Sequence, residues 1–191
     1  LPRLFLAFRS PVFGSRDYYA ASVTSAILGL RKGSRLHRGL VRERQVAAEA
    51  HAFTFDLSKG SDLLVIDATA RPEVDVDALE RAVVEEVDRL RSDGVSPEEV
   101  ERATALIETE FVAALQSAGD RADKLSMFAT YFGEPRLVNE QLDRYREVST
   151  ARVNEFARQW MGEDNRAHLL YIPRQGAPGE LALADSAATV S

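Results

Sequence analysis

Two neighbouring segments with strand character, joined by one short turn, restrict the fold of this chain more than any other feature. Residues 46–57 (VAAEAHAFTFDL) alternate between two sets of side chains, and residues 62–70 (DLLVIDATA) form a short apolar run. The intervening SKGSD is typical of a turn, because Gly60 can adopt a positive φ. Strands connected this closely pair antiparallel. The chain is therefore predicted to contain a sheet built around this hairpin.

The alternation also predicts two faces for the first strand of the hairpin, because successive side chains of a strand point to opposite sides. One side carries Val46, Ala48, Ala50, Ala52 and Thr54, and the other carries Ala47, Glu49, His51, Phe53 and Phe55. The small side chains of the first set leave room for another element to pack closely against the strand.

The remaining segments complete an α+β pattern. Residues 2–11 (PRLFLAFRSP) carry apolar side chains on both faces, which is typical of a central strand, and residues 167–174 (AHLLYIPR) form a late apolar strand. Helical periodicity is found in the segments 14–30, 34–44, 75–94, 96–117, 120–132, 137–148 and 150–161. This order lacks regular βαβ alternation. It therefore predicts a mostly antiparallel sheet with helices packed on one face.

The two long helices in the middle of the chain carry sequence signals for their first turns. In the first of them, Asp77 and Glu80 have the spacing that predicts a capping box. In the second, Ser96 is predicted to cap the helix and Glu99 to close the box. Both helices are therefore expected to begin at defined residues.

The chain length and the extent of the predicted elements define the domain organisation. A chain of 191 residues is suited to one domain with one substantial core. The predicted strands and helices fill residues 1–174, which we assign to a single domain. Residues 175–191 are rich in alanine and glycine and are predicted to be a C-terminal tail or linker.

The composition excludes several classes of function. The formal net charge is −6, which argues against nucleic acid as a partner because binding a polyanion requires a cationic surface. The chain has no cysteine, so disulfides, thiolate nucleophiles and Cys-ligated zinc are excluded. No apolar run reaches the ~20 residues of a membrane span, and the first residues lack the basic-then-apolar order of a secretory signal. We therefore expect no membrane association and a cytoplasmic location.

The histidines do not form a metal motif. His37, His51 and His168 are the three histidines, and none lies four residues from another, the spacing at which two imidazoles of one helix share a metal ion. Glu49 and His51 share one face of the predicted strand, where a metal or acid–base pair is one interpretation. We favour a polar strand face toward a cavity or a helix layer, because a metal ion needs a third ligand.

A basic cluster precedes the hairpin. Arg35, Arg38, Arg42 and Arg44 lie on the helix predicted at 34–44. In one interpretation they form a solvated face that pairs with carboxylates, each exposed pair stabilising the fold by about 0.2–1 kcal/mol. In the other, they line a chamber that binds an extended acidic peptide. We favour the solvated face.

Three stretches of the sequence carry a family resemblance. They are LPRLFLAFRSPVFGSRDYYAASVTSAILG (1–29), SRLHRGLVRERQVAAEAHAF (34–53) and DALERAVVEEVDRLRSDGVSPEEVERATALIETEF (77–111). Together they resemble the second, inactive domain of the pitrilysin/insulinase family of zinc metallopeptidases, which includes the mitochondrial processing peptidases and respiratory core proteins. The resemblance extends over residues 1–174 and implies a single domain with the α/β roll of that family.

The resemblance also implies that two domains have different roles. In that family the catalytic zinc lies in the first domain, held by an HxxEH motif and a distant Glu, and the Glu of the motif acts as general base. Zinc and general base would then come from an N-terminal domain or a partner subunit, in a homo- or heterodimer. This chain would form one wall of the chamber that encloses a peptide substrate. It would supply no catalytic residue and no metal ligand, and alone it is predicted to be inactive.

One pair of residues that many family members use is replaced in this chain. The pair is an Arg and a Tyr, seven residues apart, that bind the substrate backbone, and the family pattern aligns them with Val41 and Ala48. The chamber-lining candidates that remain in this region are Arg42, Arg44, Glu49 and His51. The alternative function is a structural, scaffolding module of a catalytically inactive paralogue. An HxxEH motif in the other half of the protein would distinguish the two.

Overall fold

The computed structural model describes residues 1–173, which form one antiparallel sheet and a layer of helices. The strands are β1 (Arg3–Ser10), β2 (Ala47–Thr54), β3 (Asp62–Ala70) and β4 (Arg166–Tyr171). Their order in the sheet is β2-β3-β1-β4, and each neighbouring pair is antiparallel. The predicted α+β fold is confirmed. Residues 175–191, predicted as a tail or linker, lie outside the described residues.

β1 occupies the interior of the sheet, as its apolar sequence predicts. Ala7 lies opposite Val65 of β3 on one side and opposite Ala167 of β4 on the other. The side chains that point to the helical layer are completely buried: Leu4, Leu6 and Phe8. Phe5 and Ala7 on the opposite face are only partly buried. Helices therefore cover one face of this strand, although both faces are apolar.

The helical layer is built from helices of very different length. They are α1 (Tyr18–Gly29), α2 (Val76–Asp93), α3 (Pro97–Gln116), α4 (Ala118–Phe132), α5 (Gln141–Arg146) and α6 (Thr150–Trp160). The single helix predicted at 137–148 is wrong, since a 3-10 helix (Pro135–Glu140) precedes the short α5. At the junction of the two, the side chain of Gln141 donates to the Leu137 carbonyl at 2.8 Å. No helix within residues 1–173 combines the length and apolar character needed to cross a membrane.

The observed helix caps confirm one of the two predicted capping boxes and contradict the other. Ser96 accepts a hydrogen bond from the Glu99 N–H at 3.3 Å, and the Glu99 carboxylate accepts one from the Ser96 N–H at 2.9 Å. The box predicted for Asp77 and Glu80 is wrong. Asp75 caps α2 instead, because its extended backbone lets its carboxylate accept from the Asp77 N–H at 3.2 Å.

The segment 34–44, predicted as a regular helix, widens into a π-helix at His37–Glu43. The N–H of Arg44 donates to the carbonyl of Gly39, five residues earlier, at 3.0 Å. Gly39 lies close to α2, since a Cβ at this position would come within 2.8 Å of a carboxylate oxygen of Glu86. The wider turn changes the directions of the side chains that follow Gly39. Hydrophobic periodicity alone does not predict this change.

α1 packs directly against the backbone of β2. A Cβ at Gly29, the last residue of α1, would overlap the backbone nitrogen of Ala52. Ala50 and Ala52 are both buried beneath this layer. The close packing predicted from the small side chains of β2 is therefore observed, and Gly29 is the helix residue that permits it.

Candidate functional site

The predicted chamber-lining residues lie at the C-terminal end of the π-helix, directly after it, and on β2. We call this set of exposed side chains the π-helix–β2 surface. It consists of Arg42, Arg44, Ala48, Glu49 and His51, all of which are exposed. Within residues 1–173, no ion pair connects Arg42 or Arg44 with Glu49 or His51.

The two arginines of this surface differ in their partners. Arg44 donates to the exposed Glu85 at 2.6 Å and lies 3.8 Å from the buried carboxylate of Glu86, so it is bound to α2. Arg42 makes no ion pair or side-chain hydrogen bond within the described part of the chain. Arg42 is therefore the arginine of this surface whose guanidinium is available to a ligand.

Arg35 departs from the predicted solvated face. Its guanidinium donates two hydrogen bonds to Glu99 and one to the carbonyl of Gly94, all at 2.7 Å, and its side chain is only 12% exposed. Burial raises the pKa of the Glu99 carboxyl, but hydrogen bonds from Arg35 and the Ser96 N–H outweigh burial and leave the pKa below its ordinary value. This pair therefore ties the π-helix segment to the turn between α2 and α3.

Glu49 and His51 form a polar strip on the face of the sheet that helices do not cover. Their nearest side-chain atoms are 3.8 Å apart, and both side chains are 55% exposed. Asp67 lies opposite His51 in β3 and binds the guanidinium of Arg3. No three His, Asp or Glu side chains within residues 1–173 are placed to hold a metal ion. The geometry fits a polar strand face and does not fit a metal centre.

The two positions that replace the family's Arg and Tyr have different environments. Val41 is partly buried against the core, and its carbonyl accepts a hydrogen bond from Arg71 at 3.1 Å. Ala48 is the extra residue of a β-bulge between Ala47 and Glu49. The predicted alternation is therefore wrong at this point, because the bulge turns Ala47 inward and Ala48 into solvent.

The bulge predicts that a large side chain at residue 48 is tolerated. We expect Ala48→Tyr to change the free energy of unfolding by less than about 0.5 kcal/mol, because the new ring projects from the surface. The matched control is Ala50→Tyr on the same strand, where the side chain is 2% exposed. Overpacking there is expected to cost about 1–3 kcal/mol or more. Urea unfolding measures both, and equal losses would show that Ala48 is not on the surface.

The structure also contains a cleft between α1, α3 and the outer edge of β2. We call it the α1–α3 cleft, and the sequence analysis did not predict it. Its volume is about 300 Å³. Its walls include small and large side chains: Ser22, Ser25, Ala26, Ala52, Ile107, Phe111 and Ala114. β2 is an edge strand, so its outer backbone groups have no strand partner within residues 1–173. Small residues at helical spacing in α1 were the signal that could have located it.

One end of the α1–α3 cleft is polar. The Tyr18 hydroxyl and the Thr54 hydroxyl both donate to the Asp56 carboxylate, and the hydroxyls of Ser22 and Tyr145 lie 3.2 Å apart. Burial raises the pKa of Tyr145 to about 12. The tyrosine hydroxyls are therefore protonated near neutral pH and act as hydrogen-bonding groups, not as bases.

The fold and the surface together define a class of domain: an α+β domain with an exposed helix–strand surface that includes an edge strand of its sheet. The family model for the Peptidase M16 inactive domain matches residues 1–107. The chain therefore belongs to the Peptidase M16 inactive domain family. The predicted resemblance to the inactive domain of zinc metallopeptidases is confirmed.

Two curated relatives are bacterial zinc proteases. The zinc protease PqqE of Helicobacter pylori is 28% identical over 126 residues, which make up 66% of this chain and 28% of PqqE. The uncharacterized zinc protease YmxG of Bacillus subtilis is 21% identical over 161 residues, which make up 84% of this chain and 39% of YmxG. The chain thus spans well under half the length of these relatives.

Solved structures show the same fold. The inactive peptidase domain from Bordetella parapertussis is 27% identical, with a TM-score of 0.81, and the match covers 93% of this chain and 95% of that one. A protease from Helicobacter pylori is 18% identical, with a TM-score of 0.82, and the match covers 91% of this chain and 41% of that one. This fold thus occurs both in a chain of similar size and within a longer one.

Proposed function

We propose that this chain is the non-catalytic C-terminal domain of a zinc-dependent metalloendopeptidase and forms one wall of the chamber that encloses a peptide substrate. Family membership and the zinc protease names of the relatives support this proposal. The partner is the zinc-bearing N-terminal domain or subunit, which supplies zinc and general base. A cytoplasmic location is part of the proposal and rests on the sequence alone.

The described residues do not fit a zinc ion themselves. Glu49 and His51 lie close together, but no third His, Asp or Glu within residues 1–173 joins them in a ligand set. Zinc is held by at least three protein ligands in catalytic sites. This chain's part in peptide hydrolysis is therefore to bind and orient the peptide, with no step of the reaction at its own residues.

The observation that carries the proposal is the exposed π-helix–β2 surface. Arg42 can donate to peptide carbonyls or acidic side chains, because it has no ion-pair partner within residues 1–173. Glu49 and His51 add a polar strip on β2. The surface thus offers polar side-chain contacts to a peptide.

The replaced family positions favour a second candidate function. Val41 is turned partly toward the core, and Ala48 has only a methyl group, so neither side chain can polarise a peptide carbonyl. A chain without these groups could scaffold a partner in a catalytically inactive paralogue. The two candidates differ in the activity of the assembled protein.

Reconstitution with the zinc-bearing half distinguishes them. The two halves are produced separately and mixed with zinc, and hydrolysis of an unstructured fluorogenic peptide is measured. We expect that neither half cleaves alone, that the mixture cleaves, and that a chelator abolishes the activity. The matched control replaces the Glu of the partner's HxxEH motif with Gln, which should leave assembly intact and remove activity. An assembled, zinc-loaded complex that cleaves no peptide would contradict the proposal and favour the scaffold.

A further inference from the structure

We propose that a second copy of this chain pairs with the outer edge of β4, so that the sheets of the two copies join into one continuous antiparallel sheet. The inference goes beyond the proposed function and does not depend on it. The two edges of the sheet differ in access. α1 covers the outer edge of β2, where Gly29 lies against the backbone nitrogen of Ala52, whereas β4 at the other edge is exposed. A strand can therefore add at β4 and not at β2.

The most exposed large apolar side chains of residues 1–173 lie on β4 or directly after it. Leu169, Tyr171 and Ile172 are 63%, 61% and 63% exposed. Edge strands of natural sheets are protected against pairing by exposed charges, proline or a bulge. β4 has no lysine, proline or bulge, and its Arg166 is only 19% exposed and lies 3.7 Å from Glu163. Such an edge is expected to be covered by another strand.

The sequence of β4 is complementary to itself in an antiparallel pair. A two-fold axis perpendicular to the sheet keeps the same face of both copies on one side, so side chains directly opposite each other share a face. With the axis at Leu169, this residue meets Leu169 of the second copy, and the large Tyr171 lies opposite the small Ala167. Phe5 of β1 lies opposite Leu169 within each copy. An apolar row therefore crosses the interface on the face that helices do not cover.

The other face of β4 fits the same register. There, His168 would lie opposite Leu170 of the second copy, and Arg166 would lie opposite Ile172. No two like charges are directly opposed. A groove of about 440 Å³ between α2 and Arg166 shows that the helical layer does not fill the space beside β4. The second strand therefore has room on this side as well.

One alternative axis gives a pair of equal length. An axis at Leu169 pairs residues 167–171 of each β4. An axis at His168 pairs residues 166–170 instead. The second arrangement places two imidazoles directly opposite each other and leaves Tyr171 outside the paired residues. The register centred on Leu169 is therefore favoured, because it buries more apolar surface and opposes no titratable groups.

Pairing at β4 leaves the π-helix–β2 surface free. The order β2-β3-β1-β4 places β2 at the far edge of each sheet, so the two copies of β2 lie at opposite ends of the joined sheet. Dimerisation is therefore compatible with the binding of a peptide at the π-helix–β2 surface of each copy.

Sedimentation equilibrium of the full chain at increasing concentration tests the proposal. We expect association into a dimer at roughly 10–100 μM, since one pair of strands is a small interface. Leu169→Lys should raise the dissociation constant at least about tenfold, because two ammonium groups would then face each other across the axis. Leu169 is exposed in the monomer, so the variant should still fold. Val112→Lys, at an exposed apolar position of α3, is the matched control and should dimerise like the wild type.

A mixture of two variants tests the register itself. A residue meets its own copy only at the two-fold axis. Leu169→Lys and Leu169→Glu should therefore each stay monomeric alone and form a mixed dimer when combined, because opposite charges then face each other.

Three results would overturn the proposal: a wild-type chain that stays monomeric up to about 1 mM, a dimer that Leu169→Lys leaves intact, or a mixture of the Lys and Glu variants that does not associate. Hydrogen exchange on the wild-type chain tests the edge without any substitution. Protection of the amides of residues 167–171 should rise with the fraction of dimer. Full protection in the monomer would mean that another segment of the chain covers β4, and would also overturn the second copy as its partner.

Discussion

Replacement of Gly29 by Ala is expected to lower the free energy of unfolding by about 3 kcal/mol or more, or to prevent folding. The added Cβ would overlap backbone atoms of Ala52, which cannot rotate out of the way as a side chain can. Either α1 or β2 must then move, and the α1–α3 cleft would change shape with them. Helix propensity alone predicts the opposite result, a gain of about 1 kcal/mol.

Gly33→Ala is the matched control for this change. A Cβ at Gly33 meets no atom within 4 Å, so this substitution is expected to leave stability unchanged. Urea unfolding followed by circular dichroism measures both variants. A Gly29→Ala protein as stable as Gly33→Ala would show that α1 does not contact β2 through its backbone.

Replacement of Glu99 by Ala is expected to lower the free energy of unfolding by about 3 kcal/mol, because it leaves the Arg35 guanidinium without its carboxylate. The two side chains are only 12% and 15% exposed, so water compensates little for the loss. The change also removes the acceptor for the Ser96 N–H at the start of α3. Glu98→Ala, at the exposed neighbouring position, is the matched control and should have a much smaller effect.

The contribution of Glu99 should depend on pH in a defined direction. Its pKa in the folded protein lies below the ordinary value of 4.5, so the unfolded chain binds the proton more readily. The stabilisation is therefore complete above about pH 4.5 and is lost as the pH falls through the lowered pKa of the folded state. The difference between wild type and Glu99→Ala should shrink in acid. A difference that stays constant from neutral pH to strongly acidic pH would contradict this assignment.

The parts of the fold that the sequence predicted depend on residues close together in the chain. The capping box of Ser96 and Glu99 spans a single turn, and the β2–β3 hairpin depends on one short turn and its flanking strands. Both predictions are confirmed. Apolar side chains on both faces also identified β1 as an interior strand, although they did not predict that helices would cover only one face.

The failed predictions concern residues whose backbone departs from the regular geometry that a repeating pattern assumes. Asp75 caps α2 because of its own extended backbone conformation, whereas sequence spacing favoured Asp77 and Glu80. The π-helix and the bulge at Ala48 each shift side-chain directions relative to a regular repeat. A periodic pattern cannot report an added residue or a widened turn, because both leave the composition of the segment unchanged.

The sequence likewise predicted some features of the candidate site and missed others. The sequence identified the exposed residues Arg42, Arg44, Glu49 and His51, although their role in a substrate chamber stays a prediction. It did not distinguish the guanidinium of Arg35, which binds Glu99 across 64 positions of sequence, from its exposed neighbours. The α1–α3 cleft was missed for the same reason, since its walls come from helices and a strand far apart in the chain.

The sequence by itself determined the class of fold, the hairpin, the family and the absence of an HxxEH motif, because these depend on residue types and short spacings. Only the tertiary structure decided which arginine is buried, where Ala48 points and where a cleft opens beside β2. These properties arise when elements distant in sequence pack together, and the packing removes water from some side chains and leaves others exposed. The contact of Gly29 with Ala52 is one such meeting of distant residues, and the cleft depends on it.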